Sequence, residues 1–243
     1  MVHKKKLGIV GGMGSRAGAL FLQKIIDLSP ASSDQDFPEI IFHNNSCIPD
    51  RTKAILYNGP SALNDILKSI ELFNSSGVEV ISMACVTSYY YYDQFKHYTN
   101  ARIINPLHLI SDAVREASAG ASRVGVLATS GTISAGLFHA VLNKEGFEVI
   151  TLNKIDQEEI FMRAVYMEDG FKSANISMEA RALMDLAFEK ILAADVDVVI
   201  GGCTEVSLGA PSMLQGGRFI DTLDLLARKT VENCYSTNYI TIE

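Results

Sequence analysis

Two cysteines occupy equivalent places in two similar segments of the chain. Residues 78–85 and 196–203 both begin valine, acid, valine, β-branched residue, and both reach cysteine seven residues after the first valine. Short apolar runs of this kind are typical of buried strands, so Cys85 and Cys203 are each expected where a strand gives way to a loop. A thiol just before a helix has its pKa lowered from about 8.5 toward neutrality by the helix dipole and free N–H groups. Such a thiolate can act as a base, whereas a structural cysteine would be a small buried hydrophobe.

The similarity between the two halves extends beyond the cysteines. Residues 6–10 are echoed by 123–127, and 102–105 by 218–221, at the same offset of about 117 residues that separates the cysteines. A constant offset indicates a duplicated half. Two related halves packed face to face would bring their strand ends to one cleft, so that a thiol approaches a bound molecule from each side.

Composition and charge indicate which class of protein this is and which partners are not expected. The 243 residues are 48% hydrophobic and 20% charged, which is typical of a soluble globular protein with a substantial core. A net charge of −7 with scattered Lys and Arg predicts no nucleic-acid partner. The apolar stretch after Lys6 is too short for a signal peptide or a membrane span, so we expect a cytoplasmic protein with no membrane partner. The four cysteines show no C-x-x-C pair, which predicts free thiols and no zinc site.

Apolar runs alternate with segments of helical period, a pattern that predicts parallel strands covered by helices. The expected strands are residues 6–10, 39–43, 78–83, 102–104, 123–128, 147–152, 196–201 and 218–220. The expected helices are residues 17–28, 53–74, 106–118, 132–144, 156–167, 177–194 and 222–233. The predicted fold is α/β, with two pseudo-symmetric lobes, each a mainly parallel four-stranded sheet flanked by helices, and the active site in the cleft between them. Residues 1–105 plus 222–243 would form the first lobe, and 106–221 the second.

Two loops at predicted strand ends contain further groups that could bind a small anion or a carboxylate. Residues 11–14, Gly-Gly-Met-Gly, lack the spacing of a dinucleotide fingerprint, so they predict either a turn whose amides approach a small anion or a plain strand-to-helix turn. In the loop of residues 44–52, the planar guanidinium of Arg51 is suited to a substrate carboxylate. The alternative is that Asp50 and Arg51 form a surface turn that caps the next helix.

Together these motifs resemble the aspartate/glutamate racemase family of cofactor-independent amino-acid racemases. The matching residues are Gly11 to Gly14, Asn45, Ile48 to Thr52, Ala84, Cys85, Thr87, Thr129, Ser130, Gly202 to Glu205, Leu208, Asp221 and Thr222. They span nearly the whole chain in the expected order. The two cysteine motifs combined with the Ile-Pro-Asp-Arg-Thr loop make the resemblance specific.

The resemblance implies a two-base racemisation without pyridoxal phosphate, metal or nucleotide. Cys85 and Cys203 would be the catalytic residues, one removing the α-proton as thiolate and the other returning a proton to the opposite face as thiol. Arg51 would take a side-chain carboxylate of the substrate. The implied substrate-binding residues are Met13, Asn45, Arg51, Thr87, Ser88, Ser130, Thr204 and Glu205. A homodimer that binds a small amino-acid or carboxylate substrate is also implied.

Two positions depart from the family pattern. Val86 stands where asparagine usually follows the first cysteine, and Glu168 stands where aspartate racemases often have lysine, although Lys172 is near enough to restore the charge. Two alternatives therefore remain beside a racemase of aspartate, glutamate or a related amino acid. One is another carbanion enzyme of the same fold, a decarboxylase or a cis-trans isomerase. The other is an inactive amino-acid-binding homologue.

Overall fold

The protein is built on two parallel sheets, seen in a computed structural model that describes residues 4–118, 120–210 and 218–235. In these residues the first sheet has the strand order β2-β1-β3-β4 and the second β6-β5-β7-β8. The strands are β1 Leu7–Gly11, β2 Ile40–Asn44, β3 Val80–Met83, β4 Arg102–Ile103, β5 Arg123–Leu127, β6 Glu148–Ile150, β7 Val198–Gly201 and β8 Phe219–Asp221. Each lies within one or two residues of its predicted position, and the predicted fold class is confirmed.

Helices cover both sheets. The α-helices are α1 Ser15–Leu28, α2 Arg51–Leu56, α3 Leu63–Ser75, α4 Tyr92–Phe95, α5 Ile110–Ala117, α6 Ser130–Ser134, α7 Leu137–Leu142, α8 Lys154–Asp156, α9 Arg163–Tyr166, α10 Met178–Leu192, α11 Val206–Gly209 and α12 Thr222–Tyr235. Short 3-10 helices span Asp34–Asp36, Val86–Tyr91, Lys96–Tyr98, Pro106–Leu109 and Asn143–Glu145, and a π-helix spans Gln157–Met162. None of the described helices has the length and apolar character that a bilayer crossing requires.

Two of the predicted helices are each broken in two. The prediction of one helix over residues 53–74 is wrong, because α2 ends at Leu56 and α3 begins at Leu63. Asn58, at φ 52°, and the Gly59-Pro60 pair lie between them and end the helical path. The predicted helix 132–144 is likewise split into α6 and α7 by Gly136, which has a left-handed φ of 65°.

The helix α12 closes the first sheet, although it comes last in the chain. Its Leu223 and Leu226 are buried in one apolar cluster with Leu7 of β1 and Phe21 of α1. The buried Thr230 hydroxyl lies 2.7 Å from the hydroxyl of Ser82 in β3. We call the part built on the first sheet the first lobe and the part built on the second sheet the second lobe. The exact lobe boundaries, 105/106 and 221/222, stay a prediction, and the ends of the first lobe at 1–3 and 236–243 lie outside the described residues.

Candidate active site

A small cavity lies between the lobes, at the carboxyl ends of the strands. Met13 and Cys85 follow β1 and β3 of the first sheet, and Thr129 and Cys203 follow β5 and β7 of the second. Ligands of α/β sheets bind at such strand ends because loops and helix N-termini converge there. The lining residues are Met13, Arg51, Thr52, Cys85, Val86, Thr87, Thr129, Tyr166, Lys172, Cys203, Thr204 and Glu205. Both cysteines therefore line one cavity, from opposite lobes.

A carboxylate and a lysine surround Cys203. The Cys203 thiol donates to Oε2 of Glu205 at 2.7 Å, and Nζ of Lys172 lies 3.0 Å from Oε1 of the same carboxylate. Burial and the negative charge of Glu205 raise the pKa of Cys203 well above its ordinary value. The expectation of a lowered thiol pKa is therefore wrong for Cys203. The helix that follows it, α11, has only four residues, and the neighbouring carboxylate opposes the thiolate.

Glu205 stays ionised although it is buried. Burial disfavours its charged form, but the positive charge of Lys172 and hydrogen bonds, among them the one from Cys203, hold the pKa of Glu205 below its ordinary value. The carboxylate also lies against Gly14, where an added Cβ would meet Oε1 of Glu205 at 2.8 Å. Gly14 precedes the first residue of α1, whose N-terminus favours a nearby negative charge. The anion near the glycine-rich turn of residues 11–14 is thus the Glu205 carboxylate of the protein itself.

Arg51 lines the same cavity as Cys85. Its guanidinium is buried and donates to the carbonyl oxygens of Met13, at 2.6 Å, and Pro49, at 2.8 Å. Burial opposes the charge, but Cys85 and Asp50 raise the pKa of Arg51. Asp50 caps α2 by accepting from the backbone N–H of Lys53 at 2.9 Å, so the predicted helix cap is present while Arg51 turns into the cavity.

Hydroxyl groups join the lobes at the rim of the cavity. The hydroxyl of Thr87, in the first lobe, lies 2.8 Å from that of Thr132 and 3.2 Å from that of Thr129, both in the second lobe. The Tyr166 hydroxyl of the second lobe donates to Oδ2 of Asp50 in the first, at 2.8 Å. These contacts hold the two sets of strand ends together around the cavity.

Three of the predicted substrate-binding residues point elsewhere. Asn45 donates to the carbonyl of Asp65, Ser88 to the carbonyl of Cys85, and Ser130 to the carboxylate of Glu158. None of the three lines the cavity. The other predicted site residues, Met13, Arg51, Thr87, Thr204 and Glu205, do line it together with the two cysteines.

The structure also shows where residue 168, which departs from the family pattern, lies relative to the cavity. Glu168 is exposed and does not line the cavity, whereas Lys172 does. The positive charge is thus supplied four residues further along the chain. Tyr166 was not predicted as a site residue. It reaches the cavity from the end of α9. Because its partner Asp50 is far away in the sequence, no local sequence pattern indicates that Tyr166 belongs to the site.

No group of three or more His, Cys, Asp or Glu within residues 4–118, 120–210 and 218–235 is placed to hold a metal ion. Val86, the second departure from the family pattern, is buried and lines the cavity beside Cys85. It gives this part of the wall an apolar surface where a polar amide would otherwise be expected.

Comparison with known proteins identifies relatives along nearly the whole chain. Residues 10–230 match the model of the Asp/Glu/Hydantoin racemase family. The broad specificity amino-acid racemase RacX of Bacillus subtilis is 26% identical over 230 residues, which are 93% of this chain and 96% of the relative. Among solved structures, the aspartate racemase of Picrophilus torridus superposes with a TM-score of 0.80 at 26% identity, covering 94% of each chain.

A glutamate racemase of Francisella tularensis, solved in complex with D-glutamate, shares the fold with a TM-score of 0.67 at 15% identity, covering 97% of this chain and 85% of that one. The family match covers far more than half of the chain and includes every residue that lines the cavity. The chain belongs to the Asp/Glu/Hydantoin racemase family and is an isomerase of the amino-acid racemase class.

Proposed function

We propose that this chain racemises a small acidic α-amino acid, aspartate, glutamate or a close relative, with Cys85 and Cys203 as its two acid–base groups. The observation that carries the proposal is the placement of both thiols in one cavity, each after the equivalent strand of a duplicated lobe. Racemisation needs one group on each face of the α-carbon, and a thiol from each lobe meets that need.

The proposed reaction uses the two thiols in opposite protonation states. The thiolate of one cysteine removes the α-proton, and the electron pair of the broken C–H bond is delocalised into the α-carboxylate. The thiol of the other cysteine then donates its proton to the opposite face of the planar carbon. One proton is taken up and one is given back, so the two sulfurs exchange their protonation states in each turnover. The hydroxyls of Thr87 and Thr204, which line the cavity, would hold the α-carboxylate or the amino group.

Two cations support an acidic substrate. The guanidinium of Arg51, from the first lobe, and the ammonium of Lys172, from the second, both donate to the carbonyl oxygen of Met13, at 2.6 and 3.3 Å. They therefore converge on one point of the cavity wall. A dicarboxylate can meet both charges, which agrees with the aspartate racemase of Picrophilus torridus among the relatives.

Val86 and Glu205 favour a second candidate, a racemase that accepts neutral amino acids. Glu205 already neutralises Lys172, which leaves the charge of Arg51 for a single substrate carboxylate. Val86 adds apolar wall beside it. The broad specificity of RacX, named for that relative, is in line with this candidate. A substrate panel distinguishes the two, since an acidic side chain gains from both cations and a neutral side chain does not.

The test is α-proton exchange in deuterated water. The purified protein is incubated with single enantiomers of aspartate, glutamate, alanine, serine and lysine, and deuterium at the α-carbon is measured together with chiral composition. We expect deuterium incorporation with inversion, fastest for an acidic amino acid. Cys85→Ala and Cys203→Ala should each abolish inversion, whereas the matched variant Cys47→Ala, which changes an exposed thiol outside the cavity, should retain it.

Other results would exclude the proposal or change it. No exchange with any amino acid would exclude racemisation of the substrates in the panel. Exchange without inversion would indicate a different carbanion enzyme. The proposal also includes a homodimer in the cytoplasm, and light scattering after size-exclusion chromatography measures the mass that checks the dimer.

A further inference from the structure

The hydroxyl of Thr129 does not cap the helix that it precedes. Thr129 occupies the N-cap position of α6, where a threonine hydroxyl ordinarily accepts from a backbone N–H of the first helical turn. Within the described part of the chain it makes no such bond. Its hydroxyl lies 3.2 Å from that of Thr87 and 3.1 Å from that of Thr132, and Thr129 lines the cavity. The start of α6 thus lacks a stabilising cap, and the hydroxyl stays available to a bound molecule.

The residues on both sides of Thr129 are held by Gln157, the first residue of the π-helix. Gln157 is 7% exposed. Its Nε2 donates to the carbonyl oxygen of Ala128 at 3.0 Å and to the hydroxyl of Ser130 at 3.2 Å. One buried amide therefore fixes the chain directly before and directly after Thr129.

Two more side chains of the π-helix hold Ser130. The Ser130 hydroxyl donates to Oε1 of Glu158 at 2.6 Å, and its backbone N–H donates to Sδ of Met162 at 3.3 Å. Ser130, which the family resemblance placed among the substrate-binding residues, thus serves as an anchor for its neighbour Thr129.

The π-helical register brings these side chains to one face. The N–H of Arg163 bonds to the carbonyl of Glu158, five residues before it. Residues five apart then lie nearly above one another, whereas in an α-helix residues three and four apart do so. Gln157 and Met162 are five apart, so an α-helical register would turn one of them away from the loop. Such π-helical turns are rare and frequently lie at functional sites.

We propose, on the basis of the proposed function, that the π-helix fixes the Thr129 hydroxyl where it donates to the α-carboxylate of the substrate, with Gln157 as the positioning residue. None of the six residues of the π-helix is among those that line the cavity, so Gln157 acts through Thr129. A hydrogen bond to the α-carboxylate strengthens as the electron pair of the broken C–H bond moves into that group. A fixed hydroxyl therefore stabilises the carbanion more than it stabilises the bound amino acid.

Gln157→Met tests the inference, because it keeps the length of the side chain and removes its donors. We expect kcat for racemisation to fall about tenfold and KM to change by less than about threefold. Thr230→Val is the matched control, since this buried hydroxyl bonds to Ser82 and to the carbonyl of Leu226, away from the cavity. It should lower the thermal midpoint as Gln157→Met does, and leave kcat unchanged.

A double-mutant cycle separates positioning from general support. Thr129→Val removes the hydroxyl and keeps the shape of the side chain, and it should lower kcat by about tenfold or more. If Gln157 acts through that hydroxyl, adding Gln157→Met to Thr129→Val should lower kcat by less than about twofold further. Independent effects that multiply to about 100-fold would overturn the inference.

Hydrogen exchange of the Ser130 amide, followed by NMR spectroscopy, gives a readout that needs no activity. We expect exchange to be about tenfold faster in Gln157→Met and unchanged in Thr230→Val. Unchanged kcat together with unchanged Ser130 exchange in Gln157→Met would contradict the inference. Absence of α-deuterium incorporation in the unmodified protein would remove the racemase, and Ser130 exchange would then decide separately whether the π-helix fixes this loop.

Ser130→Ala repeats the test if Gln157→Met does not fold. It removes the hydroxyl that Gln157 and Glu158 hold, at a position that is not fully buried. We expect kcat to fall about threefold, and to show no further loss when Ser130→Ala is added to Thr129→Val. The same threefold loss on top of Thr129→Val would mean that Ser130 does not act through Thr129.

Discussion

At the scale of single residues, the site depends on one buried ion pair. Glu205 is 3% exposed and must remain charged to hold the proton of Cys203, yet burial alone would neutralise it. Lys172 supplies the opposing charge at 3.0 Å, and its own pKa is raised by Glu205 against the effect of burial. Either charge, buried in the cavity without the other, would destabilise the folded protein.

Replacing Lys172 with methionine should therefore destabilise the protein in a pH-dependent way. In the unmodified protein the folded pKa of Glu205 is depressed, so its charge contributes stability above the ordinary value of 4.5, and that contribution is lost as pH falls through the folded pKa. Without Lys172, burial raises the folded pKa above the ordinary value, and the variant gains stability as pH falls. We expect a loss of about 3 kcal/mol at pH 8 that shrinks toward pH 5.

Urea unfolding at the two pH values measures this difference. Lys229→Met is the matched control, because Lys229 forms an exposed pair with Glu232 and its loss should cost less than about 1 kcal/mol at either pH. A loss in Lys172→Met that does not change with pH would mean that Glu205 is not held in its charged form by Lys172.

The sequence indicates which residues lie near strand ends, but it does not indicate which contacts their side chains make. The duplicated motif locates Cys85 and Cys203, and the type of side chain selects Arg51. Sequence spacing could not show that Ser130 turns away to Glu158 or that Tyr166 enters the cavity, because those outcomes depend on tertiary packing. It also could not show that a carboxylate two residues after Cys203 would reverse the effect of the helix dipole.

At the scale of elements, the lobes meet where α2 and α6 pack together. Gly131 in α6 lies so close to Thr52 in α2 that an added Cβ would be 2.8 Å from both its Cα and its Oγ1. This close approach brings Arg51, at the start of α2, against the second lobe. The sequence predicts strands and helical segments well because periodicity is local. It does not predict which helices touch. The helix predicted over residues 53–74 also runs through the break between α2 and α3, although Gly59 and Pro60 signal that break.

The variant Gly131→Ala should separate the lobes slightly. A backbone atom of Thr52 cannot yield as a flexible side chain would, so we expect a loss of about 1–3 kcal/mol in stability from overpacking. The rate of racemisation should fall by at least about tenfold, since a small shift of the lobes moves both thiols away from the two faces of the α-carbon. Ser134→Ala, at an exposed position of the same helix, should change neither thermal stability nor rate. Unchanged activity in Gly131→Ala would show that the thiols tolerate the displacement.

At the scale of the whole molecule, the duplicated lobes share one core. The largest apolar cluster contains Val10 and Ile81 of the first sheet together with Val126 and Ile200 of the second. Two smaller clusters lie on the outer sides, one around Phe21 in the first lobe and one around Phe188 in the second. A lobe that unfolded alone would expose the shared cluster on its partner, so neither lobe has a complete core of its own.

The molecule should therefore unfold in a single cooperative transition. Differential scanning calorimetry is expected to show one peak with an enthalpy of about 170 kcal/mol, from about 0.7 kcal/mol per residue, and a van't Hoff enthalpy equal to it. Phe21→Leu and Phe188→Leu each alter an outer cluster of one lobe, and each should lower the midpoint of the same peak. Tyr98→Leu, which changes a ring that is 60% exposed, should leave it in place. Splitting of the peak in either core variant, or a van't Hoff enthalpy near half the calorimetric one, would mean that the lobes fold as independent units. The cavity between them would then persist only through its rim contacts rather than through the shared core.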